Sequence, residues 1–134
     1  MHRFEMLDES RIRALGTTRA GLFIAALKGM CAATTPRFTE GTERVERPFK
    51  IEAPDSEALL VAVLNEALSL SNANREAYED VSFSLITDKK AEGAFVGRPV
   101  NGFEMQIKAA LHPGLEVKKN DEGSWEAVVT FEMG

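Results

Sequence analysis

The sequence predicts an α+β protein, a two-layer sandwich with two helices packed on one face of a mixed or antiparallel sheet that ends in a β-meander. Three observations lead there. Two segments repeat apolar residues at helical spacing, several shorter ones alternate, and the last ten residues alternate throughout. In that last segment Trp125, Ala127, Val129, Phe131 and Met133 fall at every second position, with Glu126, Val128, Thr130 and Glu132 between them. This is the period of a strand with one buried face. A chain of 134 residues is long enough to bury one core, and a single domain over 1–134 is expected.

In chain order, residues 11–15 read as a short extended stretch closing at Gly16. Thr17 or Thr18 supplies an N-cap oxygen for a helix reaching about Ala33, whose face is Leu22, Phe23, Ala26, Leu27 and Met30. Pro36 stops any continuation. Phe49, Ile51 and Ala53 alternate as a strand. Pro54-Asp55 then starts the second helix, with Asp55 as N-cap and Glu57 favourable in the first turn. Leu59, Leu60, Val63, Leu64, Ala67 and Leu68 recur along it at helical spacing. The polar residues 71–80 read as a loop. Val81, Phe83 and Leu85 alternate after it, and a further strand lies near 92–96. Three more strands, roughly 104–111, 115–119 and 124–132, are separated by the turn signals Pro113-Gly114 and Asn120-Asp121-Glu122-Gly123.

Composition excludes several classes of function. The longest apolar runs, 22–27 and 58–64, fall far short of the ~20 residues that a membrane span needs. The first residues carry no apolar h-region, so no secretory signal is expected. The lone Cys31 excludes an internal disulfide, suits a reducing cytoplasm, and reads as a small core residue of the first helix. A net charge of −5 with no basic cluster argues against direct nucleic-acid binding. Two histidines and one cysteine cannot build a structural zinc site. There is no Gly-rich phosphate loop, no Ser-His-Asp set and no convincing histidine base, so neither enzymatic activity nor a small-molecule substrate is expected.

The C-terminal wording resembles one family. Archeases typically close with a phrase like I-K-A-V-T-Y-H-x-L-E-V, a turn, and W-x-A-x-V-x-F-D-I. The matching letters here are Ile107, Lys108, Ala109, Leu115, Glu116, Val117, Trp125, Ala127, Val129 and Phe131, with Glu132 at the family aspartate. Near the N-terminus, L-D-H-T-A-D-I-G-I-R-A-Y-G aligns without a gap on residues 4–16, sharing Ile12, Arg13, Ala14 and Gly16. Both aspartates of that phrase fall on glutamates, Glu5 and Glu9, and its histidine on Met6. Asp55, Glu57, Leu59 and Leu60, then Leu64-Asn65-Glu66, are similar to the D-x-E-x-L-L and L-N-E wording of the family's second helix.

The resemblance implies a two-layer α+β fold and a non-enzymatic role. Archeases assist an RtcB-type RNA ligase in tRNA splicing and RNA repair by promoting its guanylylation and turnover. RNA would then be met only through the ligase. It also implies a divalent-cation site, calcium foremost, with Glu9 and Glu132 as ligands and the carboxylate at Gly134 beside them. Several converging carboxylate oxygens are what a hard cation requires. Lys108 and Glu5 are the implied partner contacts. His112 takes the tyrosine position of the family phrase while Pro113 takes its histidine, so His112 is expected to be a turn residue. The departures at Met6, Glu9, Pro113 and Glu132 leave an alternative open: a divergent archease-fold binding module without the metal site and without the ligase.

Overall fold

The computed structural model describes residues 1–134. The chain opens with an antiparallel hairpin, β1 (His2–Asp8) and β2 (Arg11–Gly16), and enters helix α1 (Arg19–Thr34). Strands β3 (Pro36–Phe38) and β4 (Val45–Glu52) lead to helix α2 (Ser56–Asn74). Then come β5 (Glu76–Ile86), β6 (Lys90–Phe103), β7 (Ile107–Ala110), β8 (Lys118–Lys119) and β9 (Trp125–Met133). The α+β sandwich of two helices and antiparallel sheets is the architecture observed.

The strands divide into two sheets. One runs β1-β2-β9-β7, with β8 also on β9; the other centres on β6, flanked by β5 on one edge and by β4 and β3 on the other. Every pairing is antiparallel. The C-terminal strands are not a sequential meander, because β7 and β8 each pair with β9 and not with one another. Nine-residue β9 is long enough to take both along one edge while β2 fills the other.

The helix starts follow from local chemistry. The Thr18 hydroxyl accepts from Gly21 N at 2.9 Å, and Asp55 Oδ1 accepts from Ala58 N at 2.7 Å, each satisfying one otherwise orphaned amide. Helix α1 is buried more broadly than a one-sided stripe: Leu22, Phe23, Ala25, Ala26, Leu27 and Met30 are all inside. The reason is its position, against β1, β2 and β9 of one sheet and against β5 of the other. Phe49 and Tyr78 both stack on Phe95, at 4.3 and 5.7 Å between ring centres, and Phe83 meets Phe49 and Phe23 edge-on. These side chains join one apolar cluster spanning both sheets and both helices.

One element has no counterpart in the sequence reading, and one local expectation fails. Residues 2–8 form a strand, which their weak alternation hides; β1 is a sheet edge, and only Phe4 and Glu5 are even half-buried. Residues 71–80 are not a loop. Helix α2 continues to Asn74, Arg75 turns the chain in the left-handed conformation at φ 56°, and β5 begins at the next residue. The polarity there belongs to a buried ion pair. Glu76, only 4% exposed, receives Arg47 Nε at 2.9 Å and Nη2 at 2.7 Å, and the Tyr78 hydroxyl at 2.8 Å. The Ser71 hydroxyl donates to the Glu76 carbonyl, fastening α2 to β5.

The Arg47 guanidinium, aided by Tyr78, holds the Glu76 carboxyl below its ordinary 4.5 despite burial. Burial, with the Glu76 hydrogen bond, pushes the Tyr78 phenol up to about 12. Removing one partner of such a pair strands a desolvated charge. Arg47→Met is expected to lower stability, because the buried Glu76 carboxylate loses its two charge-assisted hydrogen bonds, measured by urea unfolding. Since the folded-state pKa of Glu76 is depressed, its contribution is complete above about pH 4.5 and is lost as pH falls through the folded value. Stability of Glu76→Gln should therefore lack that acid-side decline.

Candidate functional site at one end of the five-stranded sheet

Strand β9 places its residues by parity. Ala127, Val129 and Phe131 are buried against the helices, while Glu126, Val128, Thr130 and Glu132 face outward. In register, Arg11 lies opposite Thr130, and Phe131 N donates to Ser10 O at 2.7 Å. The next residue back along the hairpin turn is Glu9, and the next forward along β9 is Glu132. Both are exposed. The two glutamates, more than 120 residues apart in sequence, thus come to the same end of one sheet.

Lys108 lies at that end, outward after buried Ile107 and beside a β-bulge. Ile107 pairs with Met133 and Ala109 with Glu132, so β7 carries one extra residue there. Ile107 and Ala110 are both buried, which leaves Lys108 and Ala109 together on the outward side, opposite Glu132. A bulge re-aims a side chain in this way. Gly134 N donates to Gln106 O at 2.9 Å, and a Cβ at Gly134 would stand 3.4 Å from Lys108 Cγ. Glu132, Gly134 and Lys108 are therefore immediate neighbours.

Strand β7 is itself held from α2. The Asn65 side-chain amide accepts from Ala110 N at 2.8 Å and donates to Ala110 O at 3.3 Å, imitating a neighbouring strand. Glu57 Oε2 accepts from Val117 N at 2.8 Å and steadies the return to β8. The sequence shows Asn65 and Glu57 as helix residues, but nothing in their spacing reveals that they clamp a distant edge strand.

Asp8 shapes the turn that carries Glu9. Its carboxylate accepts from Ser10 N at 2.9 Å and from the Ser10 hydroxyl, and pairs with Arg11 at 2.8 Å. The Ser10 amide first, then Arg11, hold the Asp8 carboxyl below its ordinary 3.8. The Asp-x-Ser pattern of a side-chain-capped turn was the available signal for it.

Glu5 lies apart from this group. It sits opposite Arg13 within β1 and shares that guanidinium, at 3.5 Å, with Glu126 at 3.6 Å. It is four positions from Glu9 along the chain, roughly 13 Å of rise where extended. His112 is exposed, and its carbonyl accepts from Leu115 N in the turn after β7. Cys31 is half-buried, and burial pushes its thiol up to about 12, which makes it a poor nucleophile.

The donor chemistry at the sheet end, two outward glutamates, suits a hard divalent cation. The count is short: no three His, Cys, Asp or Glu side chains converge closely enough to hold a metal ion. Asp8, the nearest further carboxylate in sequence, is already committed to Ser10 and Arg11. No helix is long and apolar enough to cross a membrane.

The fold is that of a small α+β protein, and one end of its five-stranded sheet carries Glu9, Glu132 and Lys108. The archease protein family (MTH1598/TM1083) matches residues 4–133, and the chain belongs to that family. A protein archease of Methanosarcina barkeri is 26% identical over 144 residues, covering 98% of this chain and 96% of that one. The solution structure of Methanobacterium thermoautotrophicum protein 1598 matches with a TM-score of 0.64 at 18% identity, over 98% of each chain. The crystal structure of an archease from Thermotoga maritima, described as a possible chaperone, matches with a TM-score of 0.65 at 15% identity, over 91% of this chain and 88% of that one. At these identities the two structures bear on the fold alone.

Two measurements test the construction of the site. Asn65→Ala leaves the buried Ala110 amide without its acceptor and should cost about 1–3 kcal/mol, with hydrogen exchange accelerated at Ala110 of β7 more than at the amides of β9. In an NMR titration the Asp8 carboxyl should titrate below 3.8, and Arg11→Gln should move it back towards that value.

Proposed function

We propose that this chain is a non-enzymatic accessory protein that promotes guanylylation and turnover of an RtcB-type RNA ligase. The sheet end carrying Glu9, Glu132, Gly134 and Lys108 is the surface it presents to that partner. One observation supports this above the others. The hairpin turn, the end of β9 and the start of β7 bring Glu9, Glu132, Gly134 and Lys108 to one end of the sheet, though not Glu5. The description of the Thermotoga relative as a possible chaperone agrees with action on a partner protein. Contact with RNA is left to the ligase, in keeping with the net charge of −5. The unpaired Cys31 favours work in the reducing cytoplasm. Glu5, tied to Arg13, serves the partner surface only from its margin.

A divalent cation, calcium foremost, is part of this reading, with Glu9 and Glu132 as its protein ligands. Bound there, it would neutralise two like charges that otherwise repel. Calcium takes about six to eight oxygens, so water or groups of the ligase would supply the remainder. Lys108 is placed to meet an anionic group beside the cation. A second reading is a binding module of archease fold without metal or ligase. The absence of three converging acidic side chains and the commitment of Asp8 to Arg11 favour it.

The deciding experiment is multiple-turnover RNA joining by the RtcB-type ligase of the same organism, with and without this protein. Stimulation is expected, falling about tenfold or more in Glu9→Ala, Glu132→Ala and Lys108→Ala, equivalent to ~1.4 kcal/mol of lost interaction. Calorimetry should show calcium binding weakened in the two glutamate variants. A folded protein that leaves an active ligase unaffected would establish the second reading.

A further inference from the structure

Of the edges that the two sheets present, all but one are blunted. Strand β4 carries Pro48, which has no amide to donate. Strand β5 shifts register twice against β6, after Tyr78 and after Phe83. Strands β3 and β8 are only three and two residues long, and the Asn65 side chain occupies the edge of β7. Strand β1 is the exception. Its seven residues include no proline, and its register against β2 runs unbroken from His2 to Met6. Met6 and Leu7 are 47% and 36% exposed. An uninterrupted edge of this kind is a template for another strand.

The register tells which peptide groups are free. Thr17 N donates to Met1 O, and Arg3 and Glu5 lie opposite Leu15 and Arg13. Residues that exchange hydrogen bonds alternate along an antiparallel pair, so Arg3 and Glu5 turn their peptide groups to β2. Those of His2, Phe4 and Met6 point away from the sheet. Side chains alternate between the faces. Phe4 lies against α1, where a Cβ on Gly29 would come within 3.2 Å of its ring. Arg3 and Glu5 stand on the other face, paired at 3.9 Å, with Arg13 3.5 Å from Glu5.

We infer that β1 pairs antiparallel with β1 of a second copy of this chain, about a two-fold axis at Phe4. The free peptide groups then match: Phe4 meets Phe4, and His2 meets Met6 of the second copy. The same register sets Arg3 opposite Glu5 of the second copy, and Glu5 opposite its Arg3, extending the row of alternating charge that begins at Arg13. Registers centred on Arg3 or on Glu5 would oppose like charges and are disfavoured. The segment around Phe4 is thus complementary to itself in charge, as an isologous contact requires. A contact one strand wide is smaller than a permanent dimer interface, so the association is reversible. Glu9 lies outside the paired residues, and the sheet end that carries it stays open in both copies. The inference does not depend on the ligase.

The test is sedimentation equilibrium of the full chain at rising concentration, with amide hydrogen exchange read by NMR on the same samples. A monomer–dimer equilibrium is expected. Exchange should slow at Phe4 and Met6 as the dimer forms, while the Arg3 and Glu5 amides are protected throughout. Arg3→Glu and Glu5→Arg each set like charges across the axis, and each should weaken self-association about tenfold or more. Mixed in equal amounts, the two variants restore opposite charges, and the heterodimer should form with near wild-type affinity. A chain that stays monomeric to millimolar concentration would overturn the proposal. So would a dimer that tolerates both substitutions and leaves the Phe4 and Met6 amides exchanging freely, since its contact lies elsewhere. Protection of those amides only when the RtcB-type ligase is added would overturn it in favour of a strand of that partner.

Discussion

The structure hangs on β9 being paired along both edges at once. Its β2 edge takes the N-terminal hairpin, and its other edge takes β8 and then β7, so the last strand of the chain is the centre of its sheet. Such a strand has no freedom of register. A slip of one residue would turn Ala127, Val129 and Phe131 outward and bring Glu126 and Glu132 into the core. The burial that fixes the register also fixes which way Glu132 points. Position and orientation of the candidate site thus follow from the requirement that the opposite face be apolar.

The second sheet is anchored differently. Its β5–β6 pairing is local, whereas β4 reaches β6 across α2 and β5; Phe23 against Phe83 and Ser71 on Glu76 tie it to the helices, and the Arg47–Glu76 pair ties β4 to β5. The pair is a demanding device, since burying a charge is favourable only when hydrogen bonds complete it. Glu76 has both oxygens engaged and Ser71 on its carbonyl, so the end of α2, the start of β5 and the middle of β4 form one unit. Helix α2 spans the two sheets, meeting β4, β5 and β6 on one side and gripping β7 through Asn65 on the other. Its side-chain amide saturates an edge that would otherwise be open to pairing with another chain.

The two ends of the candidate site differ in how much is spoken for. Asp8 is consumed by the turn, and Glu5 by Arg13, whereas Glu9, Glu132 and Lys108 have no ion-pair partner. Groups that serve the fold have their charges matched locally. Groups left unmatched at a strand terminus are free to meet something else. The bulge keeps both Lys108 and Ala109 outward beside Glu132, so a cation and a carboxylate share this end of the sheet.

Local chemistry sufficed for much of this. The Asp55 cap, the apolar repeat of α2, the alternation of β9 and the turn at 112–114 are decided within a few residues, and all are legible in the sequence. So are Glu9, Glu132 and Lys108 as residues of interest, through their match to family wording. Other features depend on contacts between residues far apart. Glu76 looks like loop polarity until Arg47 is brought against it from another strand. β1 lacks an alternating pattern because an edge strand is only partly covered. The outward turn of Ala109 beside Lys108 depends on a bulge that exists only when β7 is laid on β9. Periodicity reports how a segment meets an average interior; tertiary structure alone decides which partner it meets, and the site lies where three such meetings coincide.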